Sequence, residues 1–474
     1  MTKTLHPTAA LVVLLLLGGC ASLQSGAPAT PAVQPPAAWT AAPASAPADA
    51  GAPASLAAWW RRFDDPALPA LVEQALAEGS SVAAAQARLR QARAQLQLAQ
   101  AGLAPTLAGS GSARASRSDG GTTSRQYSLG VDASWEADLW GAGDAGVRAA
   151  AAGAEASAAT LGATRTAVAA EVALNLLQLR GTQARLAIAR ENLASQQQTL
   201  QIVAWRAEAG LVTQLDLAQA RTAVEQTRAQ IPALEASAAQ ATNALAVLTG
   251  QVPGALATAL APAQPALPPA APADLALSLP AETLRQRPDL HAAERQLQAA
   301  AARVDQLDAQ RLPSLRLGGS IGLNALSLGT LASGTGVASL LASVSVPLFD
   351  GGRLQAQVRA QEAARDEAAV NYRATLLAAL QEVEDALVAL QGTREQLAAQ
   401  QAAVAAARSA AQIADQRYRS GLVDFQNVLQ TQRTLLAAQD GAAATATQLA
   451  TAHVRLYKAL GGGWTPDHEP EPPR

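Results

Sequence analysis

The chain has 474 residues, 49% of them hydrophobic but only 3% aromatic, so its apolar content is mostly Ala and Leu and favours long, close-packed helices over a bulky globular core. A formal net charge of −2 gives no electrostatic case for a nucleic-acid partner. A single Cys excludes an internal disulfide framework and any metal site built on several thiolates.

The first element is an export signal at residues 1–19. Lys3 supplies a small positive n-region, and the apolar run from Ala9 to Leu17 is too short to span a bilayer. Leu17-Gly18-Gly19-Cys20 reads as a bacterial lipobox. Cys20 then becomes the first mature residue and carries N-acyl and S-diacylglycerol chains, several of which anchor stably where one does not. The alternative is a simple signal peptide with an incidental Cys. Residue 21 is Ala rather than Asp, which favours sorting to the outer membrane. Residues 20–55 are an Ala/Pro-rich tether with nothing to build a core.

Order begins at WWRRFDDPALPALVEQAL, where Asp65 is a good N-cap and Pro66 a good first helical residue. The first unit, 56–252, reads as a helix over 66–104, strands over about 106–117 and 127–139, a helix over 142–207, a reversal at Gly210 and a returning helix to about 249. No proline interrupts residues 106–231, so the middle helix can extend roughly 100 Å. Pro232 is a candidate bend in the returning one. A Pro-rich connector, 253–280, leads to the second unit, 281–464: helix 281–311, strands 313–324 and 337–348, helix 353–418, a turn at Gly421 and helix 424–460. Residues 465–474 read as a disordered tail.

The two units are copies of one another. EVALNLLQLRGT at 171 recurs as EVEDALVALQGT at 382, and GLVTQLDLAQ at 210 as GLVDFQNVLQ at 421, both 211 residues later. Within YSLGVDASWEADLW (127–140) apolar and polar residues alternate, which gives a strand two different faces. Each strand is slightly longer than the 9–11 residues that a tilted strand needs to cross a bilayer. Only a closed barrel satisfies strand backbones in lipid, and outer-membrane barrels start at eight strands. Four transmembrane strands therefore require other copies of the chain. Trp135 and its odd-numbered neighbours would then face lipid, Asp132, Glu136 and Asp138 a watery lumen, and Tyr127 and Trp140 the two interfaces. A small soluble sheet with one wet face is the competing reading.

WWRRFDDPAL (59–68), RPDLHAAE (287–294), PLFDGGR (347–353) and LYKALGGGW (456–464) resemble the TolC-like outer-membrane factors, specifically the OprM/NodT-type lipoproteins of resistance-nodulation-division (RND) efflux systems. The resemblance covers Cys20 to Trp464. It implies a mainly α fold with a membrane β-barrel: a homotrimer with 12 strands in one shared barrel and a long periplasmic α-helical barrel. It also implies docking to a periplasmic adaptor and, through it, to an inner-membrane RND transporter. Docking tips would be Gly210, Leu211, Val212 and Thr213, with Gly421, Leu422, Val423 and Asp424. The bland reading is that both glycines only end helices.

Many relatives place an acidic residue just beyond the second tip, narrowing the closed entrance. Here that segment carries no carboxylate, while Asp216 keeps one in the first copy. A gate built from Asp216, Asn427, Gln430 and Arg433 would therefore close more by hydrogen bonding than by charge.

No Walker loop, HExxH, GxSxG or dinucleotide fingerprint occurs, and His6, His291, His453 and His468 are scattered. We expect no enzyme activity, no metal and no cofactor beyond the lipid. The expected function is a passive exit duct for small molecules. A type I secretion channel or a structural envelope lipoprotein are the alternatives.

Overall fold

The computed structural model describes residues 39–40, 56–117, 119, 121, 123–261, 284 and 286–464. The expected signal peptide, Cys20 and nearly all of the tether lie outside these residues, as do most of the connector and the tail from 465. The elements are α1 (Ala67–Glu78), α2 (Ser80–Ala101), β1 (Thr106–Ser116), β2 (Ser124–Ala137), α3 (Ala142–Glu208), α4 (Gln214–Leu248), α5 (Pro288–Ala309), β3 (Ser314–Ala325), β4 (Thr335–Ser345), α6 (Arg353–Arg419) and α7 (Phe425–Ala459). Helices α3 and α6 have 67 residues each, α4 and α7 have 35 each, and the later helix of each pair begins and ends 211 residues after the earlier.

Several boundaries differ from the sequence reading, each for a local reason. The helix expected over 66–104 breaks at Gly79, whose extended backbone (ψ 130°) separates α1 from α2. A side chain there would collide with the Ala75 carbonyl. Asp65 does cap α1, its carboxylate accepting the Ala67 N–H at 2.9 Å, although Pro66 stands between them as the boundary residue. Of the helix expected from 281, Leu284 is helical while 281–283 and 285 lie outside the described residues, and α5 itself starts at Pro288, since proline suits a first helical turn and pushes the residue before it out of the helix. β2 stops at Ala137 because the Asp138 carboxylate accepts the Asp144 N–H at 2.8 Å, at the start of α3. β4 stops at Ser345, two residues before Pro347, which cannot donate to a ladder. α4 runs through Pro232 unbroken.

Two compact units form. The sheet unit contains residues 90–156 and 293–372. Its strands lie in the order β1-β2-β3-β4, all neighbours antiparallel. Trp140 Nε1 donates to the Pro313 carbonyl at 2.7 Å, and Arg295 pairs with Glu155 at 3.1 Å. Gly351 and Gly352 take positive φ (67° and 85°). The Asp350 carboxylate then accepts the Gly352 and Leu354 N–H groups and starts α6. Those bonds hold Asp350 below the usual carboxylate pKa.

The helical unit contains, among the described residues, 39–40, 56–89, 157–261, 284, 286–292 and 373–464. Its centre is Trp59, fully buried and stacked on Tyr457 at 5.3 Å and 11°. Trp60 and Phe63 meet Trp59 edge-on. Gly462 must lack a side chain, since a Cβ would approach the Trp59 ring to 2.9 Å, and the Gly463 N–H reaches the Leu56 carbonyl. Arg287 is buried and donates to Asp289 (2.7 and 3.0 Å), to Glu382 (2.9 Å) and to the Ala459 carbonyl (2.8 Å). RPDLHAAE thus ties the start of α5 to α6 and to the end of α7. His291 lies 5.5 Å from the Trp464 ring. The tether is not wholly without core residues: Trp39 is buried against Val383, Leu387, Leu456 and Leu460, and the Thr40 N–H donates to Glu384 at 2.8 Å.

Candidate functional site

The sheet carries one functional surface. Register places Leu107, Leu129, Val131, Trp135, Leu317, Ile321, Leu323, Leu340 and Val344 on one face. Many of these are bare: Leu340 is 89% exposed, Val344 71% and Ile321 66%. The other face is polar. Ser110 donates to Asp132 at 2.7 Å, Ser112 meets Ser128 at 2.8 Å, Ser320 meets Ser339 at 2.8 Å and Arg316 pairs with Glu136 at 3.1 Å. Asp132 and Glu136 lie on this face as placed by the alternation, opposite Trp135. Asp138 is beyond the strand and spent on capping α3. Val337 and Leu341 interrupt the polar face, a departure limited to β4. Arg316, the partner of Glu136, was missed, because the sequence alone leaves β3 unregistered against β2.

The second surface is the pair of helix reversals in the helical unit. Gly210 (φ 70°) and Gly421 (φ 73°) adopt the left-handed conformation that ends a helix. Leu211 N–H returns to the Arg206 carbonyl and Leu422 N–H to the Arg417 carbonyl, the same closure twice. Leu211 and Leu422 are each 74% exposed. Beneath them lies a small core of Val203, Ala220, Tyr418, Phe425, Val428 and Leu429, with Val212 and Val423 packed against it.

The two reversals start their next helices differently. Thr213 accepts the Asp216 N–H at 3.2 Å, and the Asp216 carboxylate accepts the Thr213 N–H at 2.9 Å and its hydroxyl at 2.7 Å. Asp216 is therefore occupied as half of a capping box. Asp424 makes no side-chain cap bond. Asn427, Gln430 and Arg433 are exposed, with no side-chain bond among the described residues. The structure adds Arg206, which sits 4.3 Å over the Tyr418 ring and donates to the Tyr418 and Arg419 carbonyls at 3.1 and 3.2 Å. A cation on the last carbonyls of α6 complements that helix end.

Among the described residues no helix is apolar enough to cross a membrane, and no cluster of metal-ligating side chains occurs.

Comparison with known proteins gives this geometry its setting. The sequence profile of the outer membrane efflux proteins matches residues 71–251 and 279–462. The chain belongs to that family. It is 35% identical to the pyoverdine export outer membrane protein OpmQ of Pseudomonas putida, over 93% of this chain and 94% of the relative. It is 32% identical to the toluene efflux pump outer membrane protein TtgC of Pseudomonas putida, over 98% and 96%. Among solved structures, the outer-membrane channel OprN superposes with a TM-score of 0.82 at 33% identity, covering 92% of this chain and 99% of that one. VceC of Vibrio cholerae gives 0.78 at 28%, covering 86% and 99%. The family is one of efflux transport in the outer membrane, not of enzymes.

Proposed function

We propose that three copies of this chain form the exit duct of a tripartite efflux pump, with a periplasmic adaptor and an inner-membrane RND transporter as partners. The two-faced sheet with open edges carries this reading. Among the described residues, β1 and β4 each end the sheet without a partner strand, and much of the apolar face is uncovered. Joining β4 of one copy to β1 of the next would close 12 strands into one barrel, lipid outside and the Asp132 and Glu136 face toward water. The helical hairpins would form the periplasmic tunnel. The reversals at Gly210 and Gly421 would be its tips, where the adaptor docks, with Asn427, Gln430 and Arg433 lining the entrance. Cys20 would carry the lipid anchor, and the duct would use no cofactor. The described residues hold no nucleotide loop or catalytic constellation, so energy and selection would come from the partners.

Purified from membranes in detergent, the chain should run as a heat-dissociable trimer and conduct KCl in planar bilayers. A water-soluble monomer that never conducts would overturn the proposal.

A further inference from the structure

In the helical unit α3 and α7 lie side by side, and a groove of about 470 Å³ opens between them where Gly181 lets Thr447 come close. That volume is in the range of sites for small organic ligands. Among the described residues, two arginines and no carboxylate line it, Arg185 toward one end and Arg455 at the other. The polar groups divide into spent and free. The hydroxyls of Thr182 and Thr451 and the amide of Asn175 donate to carbonyls of their own helices at 2.8 to 2.9 Å. Arg185 gives Nε and Nη2 to Asp440 at 2.7 and 3.0 Å. Arg455, Gln178 and Gln448 are exposed and make no side-chain bond or ion pair among the described residues. At the Arg455 end, Glu171 and Lys458 carry opposite charges, so the Arg455 guanidinium is left uncompensated.

The repeat shows that packing does not call for these side chains. A displacement of 211 residues turns Gln178 into Ala389, Gln448 into Ser237 and Arg455 into Ala244. The same architecture is built a second time without the guanidinium and without either amide.

The groove also has a direction. Val172, Leu176 and Leu179 of α3 join the Trp59 core, as do Val454 and Tyr457 of α7. At about 3.6 residues per turn, Gln178 and Arg185 lie on the other side of α3, and Gln448 and Arg455 on the other side of α7. α1 and Trp39 occupy the core side. Three copies could not fit that extra layer inside a ring of long helices, so in the duct proposed above the groove side faces the bore.

We infer that this groove is a station for anionic cargo. A small organic anion would place its charged oxygens on the Arg455 guanidinium in paired hydrogen bonds, while the Gln178 and Gln448 amides donate to its remaining oxygens. The inference rests on the trimeric duct and adds its substrate class. A site in a conduit must release what it binds, and one exposed arginine with two neutral amides is suited to that. The equivalent places between copies hold Ala389, Ser237 and Ala244, so each copy contributes its own station.

The test uses the full chain in planar bilayers with KCl, and citrate as the probe. Citrate should block the current reversibly, whereas glucose, which is neutral and similar in size, should not. Arg455→Ala should raise the half-blocking concentration about five-fold or more, and Arg455→Glu further still. Arg455→Lys keeps the charge without the flat fork and should raise it about two-fold. Gln178→Ala and Gln448→Ala alter no charge and should each raise it about two-fold, a shift that the general charge of the bore would not produce. A conducting trimer that citrate does not block, that glucose blocks as strongly, or whose block is unchanged by Arg455→Glu or by both glutamine variants, overturns the inference and leaves the duct standing. A chain that forms no channel at all removes the duct itself.

Discussion

The helical unit and the sheet unit are held by opposite means. The first buries Trp59, Tyr457, Leu68, Leu176 and Leu245 almost completely within one chain. Among the described residues, the second leaves both sheet faces largely open, with Leu340 89% and Val344 71% exposed. One unit is finished by its own sequence. On the proposed reading, lipid and further copies complete the other. A substitution should therefore cost stability in the helical unit wherever it is made in solution, and in the sheet unit only when a bilayer is present.

The sharpest contrast is Tyr457→Ala against Leu340→Ala. Loss of the stacked, buried ring should cost about 3–5 kcal/mol, whereas the bare leucine should change detergent-state stability by less than about 0.5 kcal/mol. Thermal denaturation of both variants decides it. Equal losses would erase the distinction between the units.

Next comes Arg287→Ala, which removes the partner of the partly exposed Glu382 and Asp289 and the bond to the Ala459 carbonyl, and should cost about 1–3 kcal/mol, with Arg287→Met, which keeps the packed stem, costing less. Burial works against the charge on Asp289, but the hydrogen bonds and charge of Arg287 outweigh it and hold its pKa below 3.8. That contribution is present above pH 3.8 and disappears as pH falls through the lower folded value. Denaturant titrations from pH 5 to 2 should show it, and Arg287→Met should flatten the slope.

The sheet supplies the intermediate case. Leu340→Arg should cost roughly 2–4 kcal/mol of insertion into vesicles if it meets the bilayer midplane. Leu341→Arg, on the opposite face, should cost much less. Equal penalties would reverse the assignment of faces.

His453 offers a milder probe. Burial is the main reason that it titrates below 6.5, aided by the charge of Arg394 and opposed by the bond to the Leu449 carbonyl. The unfolded chain takes up the proton first, so stability is complete above pH 6.5 and falls as pH drops toward the folded value. The slope cannot exceed about 1.4 kcal/mol per pH unit. His453→Phe should abolish that slope. The smallest effect is at the reversals: Thr213→Ala should cost about 1 kcal/mol, and Asp424→Ala only a few tenths, since only Thr213 makes a cap bond. Hydrogen exchange in the first turns of α4 and α7 would separate them.

The long helices were readable because repetition constrains all four and the lack of proline constrains α3, α6 and α7, and α3, α4, α6 and α7 begin and end within a residue or so of the expected positions. Strand ends were less readable. They depend on which backbone groups a neighbouring side chain captures, as Asp138 does at α3, and composition does not carry that choice. At the first reversal, Thr213 and Asp216 form a T-x-x-D pattern that was open to a capping reading, yet the same carboxylate also suits a gate. Arg206 went unnoticed because its partners are carbonyls 212 and 213 residues away in sequence, which no local pattern marks. Trp39 was passed over, because a lone ring in an Ala/Pro stretch carries no periodic pattern, and only the fold shows what it fills.

Trp39 also sets a length. Its indole is buried among side chains of α6 and α7, so if Cys20 carries the proposed lipid, 19 residue steps separate that anchor from the contact at Trp39. Fully drawn out, that leash reaches at most about 65 Å. Shortening the 20–39 segment should then pull the bilayer and the helical unit against each other. Releasing the ring with Trp39→Ala would lengthen the leash without adding a residue.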